Sequence, residues 1–206
     1  MFVVEGNIGS GKSTLLQRLE EKHGIHVVQE PVSLWMDYKD ADNISVFQKF
    51  YKNPERYGFA FQMFVTLTRL RRSQEVGNRH SLFERSVLTD KHVFMKALHE
   101  RATISNIEHK IFEDWFAYLC ESDNTNNRIR GIIYLCVQPE ECQRRIMRRN
   151  RDSEASISFE YLKSLHEKHE EWIKGGDAEC DVLVINDSTD EDLEKVLSFM
   201  KDRVEN

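Results

Sequence analysis

The sequence predicts a three-layer α/β fold built on a parallel sheet of five strands, and three observations carry that expectation. Five short apolar segments, mostly β-branched, are separated by stretches of helix length, the pattern of strands buried on both faces between covering helices. The first of them runs straight into GNIGSGKST, a glycine-rich turn that leads into a helical pattern. The length of 206 residues suits one such domain, spanning 1–206, with a sizeable core.

FVVE (2–5) reads as the first strand. Gly6, Gly11, Lys12 and Ser13 then satisfy G-x-x-x-x-G-K-[ST]. In such a loop, here Gly6, Asn7, Ile8, Gly9, Ser10, Gly11, Lys12, Ser13 and Thr14, backbone N–H groups converge on one concavity at a helix N-terminus, and Lys12 adds a full charge. The Ser13 hydroxyl is placed to ligate Mg²⁺. Leu15, Leu16 and Leu19 give the next segment an apolar helical face.

HVVQE (26–30) is the second strand and SLFE (81–84) the third. Between them Phe59, Met63, Leu67 and Leu70 recur at helical spacing, as do Ile107, Ile111, Trp115 and Tyr118 later; both stripes are expected to face the core. Asp123–Arg130 reads as a polar turn before the fourth strand, GIIYLCV (131–137), and Gly175–Glu179 as another before the fifth, DVLVIN (181–186).

Composition narrows the function. The chain is 40% hydrophobic and 31% charged with a net charge of −6, which argues against a nucleic-acid polymer as the main ligand and makes any phosphate site a local positive island. Cys120, Cys136, Cys142 and Cys180 form no C-x-x-C pair or metal spacing, so they are expected to be reduced core residues of a cytoplasmic chain. No apolar run approaches a membrane span, and no signal or transit segment precedes the first strand.

Ligands of open α/β sheets gather at the carboxyl ends of the strands, which directs attention to particular residues. Glu30, before Pro31 at the end of the second strand, either acts as the base for a hydroxyl attacking phosphorus or only caps the following turn. FERS (83–86) places Glu84 and Arg85 at the end of the third strand; an adjacent Glu-Arg is either a solvated surface pair or, as its place after an apolar strand favours, a carboxylate that can hold Mg²⁺ beside a guanidinium that can reach transferred oxygens. QRRIMRRNR (143–151) carries five arginines, 144, 148 and 151 on one helical face and 145 and 149 on the next. A solvated face, an RNA patch and a lid over a triphosphate compete for this run; the acidic whole favours the lid, with Glu154 on the same element.

Gln62, Val65 and Arg69 share one helical face, placing a carboxamide and a guanidinium about 10 Å apart along the axis. A Gln amide satisfies a base edge with one acceptor and one donor, and Arg69 orients a carboxylate from elsewhere, Asp90 being the candidate. On local pattern alone, a solvent-facing Gln62 and Arg69 is the better expectation.

The segments EGNIGSGKST, EPVSLW, FYKNPERYGFAFQ, FERS, RRIMRRNRDSE and YLKSLHEKHEEW together resemble the eukaryotic-type deoxyribonucleoside kinases in order and spacing, over nearly the whole chain. The resemblance implies a P-loop kinase fold with an arginine-bearing lid at about 143–155, usually a homodimer. It also implies Mg²⁺-dependent transfer of the γ-phosphate of ATP, or another nucleoside triphosphate, to the 5′-hydroxyl of a deoxynucleoside. By the same resemblance Glu30 is the base, and Arg85, with Lys12 of the loop, stabilises the reacting oxygens. Ser13 and Glu84 hold magnesium, while Tyr51 and Glu154 bind the sugar 3′-hydroxyl. Arg149 and Arg151 meet the donor phosphates, with Arg145 at another basic position of the lid. Trp35 and Phe94 wall the base pocket, Phe47 and Val65 shape it, and Gln62 reads the base edge.

Arg69 with Asp90 resembles the pair found in the deoxycytidine and deoxyguanosine kinases. A carboxylate there accepts from an exocyclic amine and repels the carbonyl of thymine, so deoxycytidine or a purine deoxynucleoside is expected ahead of thymidine. Met147 stands where some relatives carry another lid arginine. The nearest competing function is a nucleoside monophosphate kinase of the thymidylate-kinase kind, which needs extra basic groups for the acceptor phosphate.

Overall fold

The computed structural model describes residues 1–76, 81–122, 129–151, 154, 157–176, 178 and 180–204. Five strands, β1 (Phe2–Glu5), β2 (Val27–Val28), β3 (Leu82–Glu84), β4 (Gly131–Leu135) and β5 (Asp181–Ile185), form one sheet in the order β2-β3-β1-β4-β5. Every pairing is parallel, with Val3 opposite Phe83 on one side and Ile132 on the other. The expected strand class holds. β2 is shorter than its apolar run because Pro31 has no N–H to continue a ladder and Val32 N turns back onto the Glu30 carbonyl at 2.8 Å.

Residues alternate between two cores. Phe2, Val4, Ile133 and Leu135 pack with Leu15, Leu16 and Leu19 of α1 (Lys12–His23), and with Leu193 and Val196 of α10 (Asp190–Lys201). Val3, Phe83, Ile132 and Tyr134 face the opposite cluster, supplied by α2 (Val32–Asp37), α3 (Val46–Lys52), α4 (Pro54–Val76), α7 (Asn106–Ser122) and α9 (Phe159–Lys174). After β3 a short α5 (Val87–Thr89) continues through a π-helical stretch at Asp90–Met95 into α6 (Lys96–Glu100). The remaining helix, α8 (Pro139–Arg149), follows β4.

Two helical expectations are corrected. On α4 the buried side carries Phe61, Gln62, Val65, Thr66, Arg69 and Ser73, while Phe59, Met63 and Leu67 are only half-buried; of the apolar stripe, Leu70 alone is buried. The inner face of this helix borders a cavity, so its polar residues lie inside. On α7 the core contacts come from Phe112 and Phe116; Trp115 is half-buried, and Ile107, Ile111 and Tyr118 are 63%, 47% and 68% exposed. Of the cysteines only Cys142 is a core residue; Cys136 and Cys180 are half-buried, Cys120 is exposed, and no disulfide joins any of them. Most of the polar turn at 123–130, part of that at 175–179 and lid positions 152, 153 and 155 lie outside the described residues.

Candidate active site

Gly6 to Ser10 leave β1 in a conformation that only glycine fits at two points. A side chain on Gly6 (φ 147°) would sit 2.6 Å from the Leu135 carbonyl oxygen, and one on Gly9 (φ 78°) 2.7 Å from that of Cys142. The loop is thus pressed between β4 and α8. No side chain caps α1, leaving its first amides to face an anion. Asn7 turns away from this concavity, donating from Nδ2 to the Leu162 carbonyl of α9 at 2.8 Å and accepting from Ile8 N at 2.8 Å. Lys12 is buried and donates to the carbonyls of Gly6 (3.1 Å) and Asn7 (2.8 Å). Burial, and next to it the Arg85 charge, bring its pKa down to about 7 against the opposing pull of Glu84, Glu30 and Glu5.

The loop opens onto a cavity of about 760 Å³. Seven cationic side chains line it (Lys12, Arg69, Arg85, Arg145, Arg148, Arg149, Arg151) against five carboxylates (Glu30, Glu84, Glu141, Glu154, Asp187). In a chain of net charge −6 this is the positive island that a polyphosphate requires.

At the strand ends, Ser13 Oγ donates to both oxygens of Glu84, at 2.9 and 3.1 Å. Arg85 adopts a left-handed φ of 65°, uncommon for a non-glycine residue and a cost of about 1–3 kcal/mol. Its Nη1 donates to the Gly6 carbonyl at 2.8 Å, its Nε lies 3.3 Å from Glu30, and its guanidinium rests over the Phe94 ring at 5.0 Å. Burial by itself raises the Glu30 pKa, but Arg69, Arg85 and Lys12 together outweigh it and hold the carboxyl below its ordinary value. Glu30 is therefore an ionised carboxylate facing the loop lysine.

Beyond Glu30 the wall becomes apolar. Trp35, Phe47, Phe50, Phe61, Val65 and Phe94 line it together with Tyr51 and Tyr161. Trp35 and Phe47 stack with centroids 6.4 Å apart, and Trp35 Nε1 donates to Thr68 Oγ1 at 2.9 Å. Gln62 and Arg69 are 2% and 7% exposed, so the solvent-facing expectation is overturned: the helix presents both to the cavity. Arg69 lies over the Trp35 ring at 5.3 Å and forks between two carboxylates, Nη1 to Asp90 Oδ1 and Nη2 to Glu30 Oε1. Asp90, fully buried, stands behind Arg69 on the π-helical stretch and does not itself line the cavity. Gln62 Oε1 is buried with no hydrogen-bond partner, an acceptor open to a ligand.

The basic segment divides in two. α8 ends at Arg149 because Asn150 turns left-handed (φ 47°), so Arg151 is off the helix and does not share the face of 144 and 148. Arg145 Nη1 donates to the Ser10 carbonyl at 2.5 Å and its Nε to Glu141 at 2.8 Å. Buried Glu154 is gripped by Arg149 Nε at 2.7 Å and Arg151 Nη1 at 3.4 Å. Met147 is 67% exposed. Burial above all, with an electrostatic contribution from neighbouring Tyr161 and then from the carboxylates of Glu154 and Glu30, raises the pKa of Tyr51 well above normal, so it stands as a neutral hydroxyl.

The family model for deoxynucleoside kinases matches residues 2–205. The chain belongs to the deoxynucleoside kinase family. It is 35% identical over 192 residues to deoxycytidine kinase 2 of Gallus gallus (82% of this chain, 72% of that protein). It is 34% identical over 193 residues to deoxycytidine kinase of Homo sapiens (82% and 74%), and 32% identical over 205 residues to mitochondrial thymidine kinase 2 of Macaca fascicularis (98% and 75%). This kinase is therefore an ATP-dependent phosphotransferase acting on deoxynucleosides, in nucleoside salvage, and the monophosphate-kinase alternative falls away.

The cavity of this kinase is also lined by Gln29, Phe50, Arg148, Tyr161, Asp187 and Ser188, to which the sequence assigned no individual role. Arg148 belonged to a recognised basic run, and Asp187 and Ser188 follow the fifth strand, so position alone pointed to them. Phe50 and Tyr161 open two of the family-like segments, FYKNPERYGFAFQ and YLKSLHEKHEEW, but nothing in either segment singles out these rings for the cavity.

Proposed function

We propose that this kinase transfers the γ-phosphate of ATP to the 5′-hydroxyl of deoxycytidine or a purine deoxynucleoside in preference to thymidine, and works as a cytoplasmic homodimer. The observation that carries the reading is the Arg69 fork: one guanidinium joins Glu30, beside the phosphate loop, to Asp90, behind the aromatic pocket. Acceptor selection and chemistry thus meet in a single cavity.

In this reading the loop, from Gly6 to Thr14, with Arg145, Arg149 and Arg151, holds the triphosphate, and Lys12 moves from the loop carbonyls to phosphate oxygens. The nucleobase lies between Trp35 and Phe94, shaped by Phe47 and Val65, with its edge on Gln62 and the Arg69–Asp90 pair. Tyr51 and Glu154 bind the sugar 3′-hydroxyl once Glu154 is shared with or released from Arg149. Glu30, ionised, accepts the 5′-hydroxyl proton as the oxygen attacks phosphorus, and Arg85 stabilises charge on the transferring oxygens.

Ser13 Oγ and the Glu84 carboxylate, already within 3.1 Å of each other, are hard oxygen donors of the kind Mg²⁺ selects, and they would hold it here. When bound, magnesium neutralises donor phosphate charge.

The exposed Ile107, Ile111 and Tyr118 of α7 support a self-association face, since apolar side chains in one helical stripe gain by burial against a second copy. Four cysteines held in no disulfide support a reducing compartment, and no helix among the described residues is long and apolar enough to cross a membrane.

The test is an assay of ATP-dependent transfer to deoxynucleosides and to their monophosphates, with products separated chromatographically. Nucleoside 5′-monophosphate as the product supports the reading; turnover of monophosphates alone contradicts it.

A further inference from the structure

Three consecutive residues at the end of β1 grip the turn that carries Arg85. The Val4 carbonyl accepts from Arg85 N at 3.0 Å, and the Gly6 carbonyl accepts from the Arg85 guanidinium at 2.8 Å. Between them Glu5, wholly buried, sends its carboxylate under the turn. Oε1 accepts from Ser86 N at 2.9 Å and from Ser86 Oγ at 2.8 Å, and Oε2 accepts from Thr89 Oγ1. Arg85 is one of four non-glycine residues at positive φ among the described residues, and such a conformation persists only where the surroundings over-determine it. The Ser86 side chain, placed to cap α5, makes no capping bond and goes to Glu5 instead.

We propose that Glu5 is a positioning residue for Arg85: its carboxylate locks Ser86 and Thr89, and through them fixes the strained backbone that aims the guanidinium at Glu30 and the phosphate loop. The inference rests on the reading that Arg85 stabilises the reacting oxygens. Glu5 touches neither substrate in this arrangement, since it does not line the cavity. Three donors converge on its two oxygens, so an acceptor is required at this place and a neutral isostere fills it in part. A displaced Arg85 would still leave the donor loop and the base pocket formed, so the loss belongs in kcat and not in KM.

The test uses the full chain carrying Glu5→Ala, Glu5→Gln, Arg85→Ala and the double substitution Glu5→Ala/Arg85→Ala, with steady-state kinetics on ATP and the best deoxynucleoside acceptor. Glu5→Ala is expected to lower kcat by about 100-fold, the scale of a misplaced catalytic group, with both KM values within about threefold of wild type. Glu5→Gln restores most of the rate, and Glu5→Ala produces no further loss in the Arg85→Ala background. Equal losses in both backgrounds, or full activity of Glu5→Ala, overturn the proposal. If Glu5→Ala does not fold, Ser86→Ala/Thr89→Ala replaces it; a kcat loss confined to the background that retains Arg85 supports the proposal, and unchanged kcat overturns it. Arg85→Ala with wild-type kcat rejects the role of Arg85 itself, and the inference with it.

Discussion

Arg69 donates through Nη1 to Asp90 Oδ1 with both side chains sealed from water, at 6% and 0% exposure. Arg69 is the member of this pair that borders the cavity, with Asp90 behind it, and in the proposed reading the pair favours a base edge bearing an amine over one bearing a carbonyl. Burial outweighs the opposing pull of Arg69 and raises the Asp90 pKa above its ordinary value.

Replacing both members, Arg69→Met with Asp90→Ala, is expected to raise thymidine turnover relative to deoxycytidine by at least about tenfold, since an unpaired buried polar group costs about 1–3 kcal/mol. Parallel kcat/KM values for the two nucleosides check this. Stability gives an independent reading. Arg69→Ala alone leaves buried Asp90 without its counter-ion and removes one of those around Glu30, and should cost about 3–5 kcal/mol, more than the double substitution, by urea unfolding.

Glu30→Gln is expected to lower kcat by about 100-fold or more with little change in nucleoside KM, the scale of a lost general base. Because Arg69, Arg85 and Lys12 hold the wild-type carboxyl below its ordinary value despite burial, the acid limb of kcat/KM should lie below the usual glutamate range. The linkage has the same sign. A depressed carboxyl contributes stability above its unfolded pKa, and that contribution is lost as pH falls from there through the folded value. Glu30→Gln should therefore flatten the acid side of the stability profile.

Lys12 titrates near neutrality, its pKa brought to about 7 by burial and Arg85, whereas an unfolded lysine stays protonated to about 10.4. Between those values the unfolded chain holds the extra proton, so this group makes stability rise with pH. A bound triphosphate favours the charged amine, and ATP binding at about pH 7.5 should take up a fraction of a proton. Calorimetric enthalpies measured in buffers of different ionisation enthalpy will then differ, and Lys12→Ala should abolish the difference.

The α7 stripe predicts association. Ile111→Asp with Tyr118→Lys should convert a dimer to a folded monomer by light scattering, with circular dichroism unchanged.

Much of the sheet was legible because its strands are short apolar runs and the phosphate loop has a fixed spacing. What periodicity misread was which face of a helix is inside. α4 turns Gln62 and Arg69 inward because it borders a polar cavity, and α7 leaves Ile107 and Ile111 outside; a hydrophobic stripe signals burial without naming the partner. Arg151 was placed on a helix that Asn150 ends. The placements of Glu5 and Tyr161 show in no local spacing, since the partners of Glu5 lie 81 to 84 residues away and Tyr161 meets a cavity lined from many parts of the chain.

The most direct measurement is kcat/KM for deoxycytidine, deoxyadenosine, deoxyguanosine and thymidine with saturating ATP and magnesium. The account predicts 5′-monophosphate products, with at least one amine-bearing nucleoside exceeding thymidine by about tenfold or more, the discrimination expected from one unmatched buried polar contact. Thymidine turnover equal to or above all three others would contradict it.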